Sequence, residues 1–174
     1  MKKILFIAFL FSSFLFSSCG DDLKDLLDVS INTTVTKDID LTVIAGTNNL
    51  DKTVTASLDN QDLNPYLNKI KTLEIKKLSY KIVEFTGDES GTITANLNAD
   101  NQTLLTITNK NVKTEFDNAT VFEVTNKNAL ITAASAFLTN KTINLKTSGS
   151  TDCTTPMTFK IRVTIELGVV ANPL

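Results

Sequence analysis

Chemistry in this chain has to come from carboxylates, hydroxyls and two thiols, because the sequence contains no histidine. That excludes a Ser-His-Asp triad, a histidine general base and histidine metal ligands. Zinc sites want three or four Cys and His ligands, and only Cys19 and Cys153 are present. The six glycines nowhere form GxGxxG or GxxxxGK, so no loop is built to cradle phosphate. What remains is pairs of carboxylates, the equipment of glycoside hydrolysis. Asp59, Asp62, Asp88, Glu89 and Asp117 lie near expected loops. Sugar sites also stack rings on aromatic side chains, and there is no Trp. The run Asp59-Asn60-Gln61-Asp62-Leu63-Asn64 is rich in oxygen ligands, but it lacks the Gly and the distant Glu of an EF-hand loop. Asp38 and Asp40 share one face of a strand. Turn residues, helix caps and a solvated strand face account for all of these more simply. The expectation is therefore no catalytic residue, no metal site and no cofactor.

The elements that would carry these residues are mostly strands. Val29, Ile31, Thr33 and Val35 alternate with polar residues, as do Ile39, Leu41, Val43 and Ala45. Period two places alternate side chains on opposite faces of a sheet. Val54, Ala56 and Leu58 form a short third strand. Leu63, Leu67 and Ile70 switch to helical spacing, with Asn64-Pro65 as N-cap and first helical residue. A long strand runs from Leu73 to Phe85. Its parity changes at Lys76-Lys77, which predicts a β-bulge. Gly87 to Gly91 reads as a hairpin-like connection to Ile93, Ala95 and Leu97. Asp100-Asn101 turns the chain into Leu104–Thr108, and Val121–Val124 follows as a strand. Leu130, Ala133, Ala134, Phe137 and Leu138 predict a helix over 126–139, capped by Asn126 or Asn128. Ile143 and Leu145 mark another strand, and Ser148 to Pro156 reads as a polar loop. The clearest strand is the last. Phe159, Ile161, Val163, Ile165, Leu167 and Val169 point one way, and Lys160, Arg162, Thr164 and Glu166 the other. Eight or nine short strands with turns between them predict an all-β fold. The expected form is an antiparallel β-sandwich, immunoglobulin-like, with one or two short helical crossovers.

The first residues have a different character. Met1-Lys2-Lys3 precedes an apolar run from Ile4 to Phe16, broken only by Ser12 and Ser13. Such a run is too short to span a bilayer and has the make-up of an export leader. Ser17 and Ser18 then lead to Cys19 and Gly20. The stretch Leu15-Phe16-Ser17-Ser18-Cys19-Gly20 resembles the lipobox of bacterial lipoproteins, with Phe16 where Leu is usual. The resemblance implies cleavage before Cys19, a diacylglycerol on its thiol and a third acyl chain on the freed amine. Two chains already make a stable anchor. Asp21 and Asp22 resemble the export signal of Bacteroidota lipoproteins, which implies the outer membrane and its outer face.

That division gives a leader at 1–18, a lipidated Cys19 with an acidic tether over 19–27, and one domain over 28–174. The whole chain has 17 basic and 19 acidic residues; two Lys leave with the leader, so the remainder is 15 against 19. A net acidic domain excludes nucleic acid as a partner and gains nothing from anionic lipid. With Cys19 spent on lipid, Cys153 is left unpaired and is expected to be buried. A lipid-tethered sandwich without catalytic residues fits a binding or envelope-assembly module for another envelope protein or a glycan. Two other readings stand beside it. One is a carrier of an apolar ligand such as a lipid, with room made by Ala129, Ala133, Ala134 and Ala136. The other is a hydrolase using loop carboxylates.

Overall fold

Alternating β-branched and apolar residues extend the chain, and each long run of them becomes a strand. The computed structural model describes residues 28–46 and 49–172. The leader, Cys19 and the tether up to residue 27 lie outside the described residues. The strands are β1 (Val29–Val43), β2 (Leu50–Ser57), β3 (Ile70–Gly87), β4 (Thr92–Ala99), β5 (Gln102–Asn111), β6 (Val121–Glu123), β7 (Thr142–Asp152) and β8 (Met157–Ala171). Two helices join them, α1 (Val112–Asp117) and α2 (Lys127–Asn140).

The strands form two antiparallel four-stranded sheets, β1-β8-β3-β6 and β2-β7-β4-β5. This is the all-β sandwich expected from the sequence. Its strand order follows a simple rule: β1 pairs with β8, β2 with β7, β3 with β6 and β4 with β5. The chain is thus one long antiparallel ribbon folded at the β4–β5 turn and rolled up. Rolling sets β8 beside β3 and β7 beside β4. That is a jelly roll; the immunoglobulin arrangement places its first two strands side by side in one sheet, whereas here β1 and β2 lie in different sheets.

β8 runs between β1 and β3, and its inward residues Phe159, Ile161, Val163, Ile165, Leu167 and Val169 are all buried. Each such side chain contributes about 1.5–3 kcal/mol relative to exposure. The opposite face stays wet and carries charge pairs. Arg162 donates to both oxygens of Asp38 at 2.8 Å, and Lys160 donates to Glu84 at 2.7 Å. α2 packs its face of Ala129, Ala133, Ala134 and Phe137 inward, touching β3 of one sheet and β5 and β7 of the other. The alanines let the helix lie close on the strands.

Several local expectations are met. The bulge at Lys76-Lys77 is present as a register shift between Ile75 and Lys77, so Ile75 and Leu78 both point inward. Asp100-Asn101 makes the β4–β5 turn, with Asp100 at φ 48°. Asn126 caps α2 by accepting from the Ala129 N–H at 3.2 Å, and Lys141 in the left-handed region ends it.

Other expectations are corrected. The first two expected strands are one, since Val35 and Ile39 share parity and the ladder to β8 continues through Lys37 and Asp38. Gly87–Gly91 is not a hairpin: β3 and β4 belong to different sheets, and the segment carries the chain across. Residues 148–152 are not loop, because β7 runs on to Asp152 and pairs with β4. Gly149 is what permits that close pairing, since a Cβ there would meet the Thr94 carbonyl oxygen at 2.1 Å. The helical piece after Leu63 is a single 3-10 turn at Asn64–Tyr66. Asn60, not Asn64, caps its approach, accepting from the N–H groups of Asp62 and Leu63 at 3.0 Å. α1 was not expected; it is held by Asn111, whose side chain accepts from the Thr114 N–H at 2.7 Å.

Candidate functional site

The rolled ribbon gives the sandwich two distinct ends. Val29 pairs with Ala171, which pairs with Ile70, so the entry of β1, the exit of β8 and the start of β3 lie together. Leu58, Lys141 and the Asp100 turn belong to the same end, through bonds from Leu58 N–H to the Lys141 carbonyl and from Asp100 N–H to the Asn144 carbonyl. At the opposite end stand the crossings 88–91 and 153–156. Cys19, the residue singled out for lipidation, lies outside the described residues. Asp28, nine positions after it, is the first residue described, and its carboxylate pairs with Lys71 Nζ at 2.9 Å. The entering chain is therefore held against the start of β3.

The carboxylates do not converge. Asp59 and Asp62 are at the β1-entry end, where Asp62 accepts from the Thr33 hydroxyl at 2.6 Å. Asp88 and Glu89 are at the far end. Asp117 closes the one-turn pair with Lys113 on α1, and Asp38 is engaged by Arg162. Asp88 is the most thoroughly occupied. It accepts from the Ser90 N–H at 2.9 Å and the Ser90 hydroxyl at 2.6 Å. It also accepts from the Thr154 N–H, the Thr154 hydroxyl at 3.0 Å and the Thr155 N–H at 3.0 Å. The Ser90 hydroxyl above all, with the Thr155 and Thr154 N–H groups, holds its pKa well below the usual carboxylate range. Its work is to tie the β3–β4 crossing to the β7–β8 crossing, both of which pass between sheets. Among the described residues, no group of three or more His, Cys, Asp or Glu is placed to hold a metal ion. Cys153 is buried beside this tie, as expected of an unpaired thiol.

A groove that sequence reading missed lies on the side of the sandwich. β6 pairs with β3 only at Ser79, Tyr80 and Lys81. Before that point, the β3 segment 73–76 and the exposed face of α2 leave between them a groove of about 580 Å³. Its apolar contributors are Leu73 and Ile75 from β3, Val124 after β6, and Leu130, Ile131 and Ala134 from α2, with Lys127 among the polar ones. Ile131 is 64% exposed, which is unusual for a large aliphatic residue on a helix whose apolar face is already packed. That residue was the available signal: in the helical periodicity it falls outside the buried set. No helix among the described residues is long and apolar enough to cross a membrane.

No family model matches the chain, and no curated protein matches it in sequence. Among solved structures, the fold is similar to the crystal structure of the decameric BFDV capsid protein, at 11% identity and a TM-score of 0.44, over 81% of this chain and 99% of that one. A likeness at that level carries no argument about what this chain binds or assembles with.

Proposed function

We propose that the chain is a bacterial lipoprotein, cut before Cys19 and held on a membrane by acyl chains on that residue. Its jelly-roll domain is then a non-enzymatic binding or envelope-assembly module. The outer membrane is the proposed site, and the partner is another envelope protein or a glycan. One observation carries the reading: a dibasic start, a 13-residue apolar run and Leu15-Phe16-Ser17-Ser18-Cys19-Gly20 in that order. The described structure begins at Asp28, and nine extended residues reach at most about 30 Å. A domain so tethered stays within a few nanometres of the bilayer, with its β1-entry end nearer the lipid than its far end. The Asp88-tied crossings, at the far end, are then the part best placed to meet a partner.

The test is metabolic labelling with palmitate, compared between the full chain and Cys19→Ser. The expected result is label on the full chain, none on the variant, and accumulation of an uncut precursor. Absence of label from the full chain, with the variant still processed and still membrane-bound, would sink the proposal. The binding role is tested by affinity capture from detergent-solubilised envelopes with the acyl chains intact. A reproducible envelope protein or glycan is expected, and its absence counts against the module reading.

A further inference from the structure

Beside the Asp88-tied crossings, the outward face of the first sheet holds a pocket of about 490 Å³. We propose that it binds a neutral sugar unit of a glycan, over the hydroxyls of Thr42, Thr86 and Thr158 and the charged groups of Asp40, Glu84 and Lys160, against the ring of Phe116. This deepens the binding-module reading and rests on it, naming a glycan as the partner.

Register arranges the polar groups in rows. Lys160 of β8 lies between Asp40 of β1 and Glu84 of β3, and two residues away Thr158 lies between Thr42 and Thr86. Paired strands are about 4.8 Å apart and residues two apart share a face, so these side chains form a grid of two rows across three strands. A β-bulge completes it. The register of β3 shifts between Ile82 and Glu84. Without the extra Val83, Glu84 would stand opposite Phe159 and Thr86 opposite Met157, both of which are buried. The bulge re-aims Glu84 and Thr86 outward.

The grid supplies both hydrogen-bonding roles. Lys160 donates to Glu84 at 2.7 Å, and its Nζ lies 3.6 Å from Asp40; each carboxylate keeps a second oxygen to accept. The Thr86 and Thr158 hydroxyls bond to each other at 2.6 Å, which uses one of their two protons and leaves the other to donate. A sugar hydroxyl both donates and accepts, and so matches this mixture. Two carboxylates against one ammonium leave the pocket net negative, which repels a phosphate or a uronate and favours an uncharged ligand. The apolar side is the half-buried Phe116 of α1. Its ring centroid is 6.3 Å from that of Phe85, which also lines the pocket. The C–H face of a sugar ring packs on an aromatic ring, and with no Trp in the chain a phenylalanine takes that place.

Thr86 stands two residues before Asp88 and Thr158 two residues after Pro156. The hydrogen bonds that tie the crossings therefore also hold the strand ends that carry the row of hydroxyls.

The test is native electrophoresis of the full chain, purified from membranes in detergent, through gels containing α-mannan, dextran or xylan, with heparin as the acidic comparison. Retardation by at least one of the three neutral polymers, and none by heparin, is expected. Retardation by heparin, or by none of the neutral polymers, overturns the proposal. Phe116→Ala should weaken the retardation by about tenfold or more. That change also removes packing, so a Thr86→Val, Thr158→Val chain supplies the second readout. It keeps β-branched side chains on the strand face, loses only the hydroxyls, and should weaken the retardation as much. Unaltered retardation in the threonine variant overturns the proposal. Capture of an envelope protein without retardation by any neutral polymer refutes the sugar pocket and leaves the binding-module reading. Retardation of a chain that carries no palmitate label refutes the anchor and leaves the pocket.

Discussion

Tyr80 lies in the middle of β3, facing inward, 2% exposed, and its hydroxyl has no hydrogen-bond partner among the described residues. A buried hydroxyl left unpaired costs about 1–3 kcal/mol, the desolvation that a partner would offset. Replacing Tyr80 with Phe keeps the ring and removes that cost, so Tyr80→Phe is expected to be more stable by about 1–3 kcal/mol. With a urea m-value of about 2 kcal/mol/M for a domain of this size, the midpoint should rise by roughly 0.5 to 1.5 M with the slope unchanged. Each kcal/mol corresponds to a rise of about 2–4 °C in Tm. Burial also pushes the phenol well above its ordinary value of 10.0. A group with a raised folded pKa contributes stability that is complete below the unfolded value and is lost as pH rises past it. The parent chain should therefore weaken above pH 10 more steeply than Tyr80→Phe. A lower urea midpoint for the variant at pH 7 would refute the reasoning, because it would mean the hydroxyl is satisfied in solution, as by a buried water.

Three further outcomes are expected. Asp88, with its folded pKa below 3.8, contributes stability that is present above that value and lost as pH falls below it; urea midpoints from pH 7 to pH 2 should drop below pH 4 in the parent, and less so in Asp88→Asn, which should be the weaker protein at pH 7. Gly149→Ala would bring a methyl to 2.1 Å from the Thr94 carbonyl oxygen and 2.7 Å from the Ala95 Cα, so β7 and β4 must part; a loss of about 1–3 kcal/mol or more is expected in chemical denaturation, and a neutral result would contradict the register given for these strands. Phe137 is fully buried where α2 meets the sandwich, and Phe137→Ala is expected to cost about 3–5 kcal/mol, measured by thermal melting.

Strand identity was legible wherever one face was packed and one was wet. β8 shows this best, because its inward Phe, Ile, Val and Leu and outward Lys, Arg and Glu repeat without interruption. The bulge at Lys76 was legible for the same reason: a parity change has few other causes. α2 was legible from its 3.6-residue period. What escaped is what depends on a distant partner. The extension of β7 through Ser148-Gly149-Ser150 has loop-like composition, and only its pairing with β4 on one side and β2 on the other makes it a strand. α1 offers one buried residue, Val112, too little pattern to read. The groove could not be seen from either of its walls. β3 looks like any long strand and α2 like any amphipathic helix, and the gap exists because β6 stops after three residues.

The rolled ribbon also explains why the two ends of the sandwich are so differently made. Pairing β1 with β8 and β8 with β3 gathers the start of the domain, the end of β8 and the start of β3 into one corner. The same corner holds the Asp28–Lys71 ion pair. At the other end, the β1–β2, β3–β4 and β7–β8 connections pass between the two sheets, and such crossings have no ladder of their own to hold them. Two of those crossings share Asp88, and five hydrogen bonds to one carboxylate replace the missing ladder. Those bonds add to the apolar packing of Val43, Leu50, Ile93, Met157 and Phe159 at that end. On the proposed binding-module reading, crossings bonded to one another keep the presented surface in one shape. If Asp88→Asn loosened the crossings yet left capture of the partner unchanged, the presented surface would have to lie elsewhere on the sandwich.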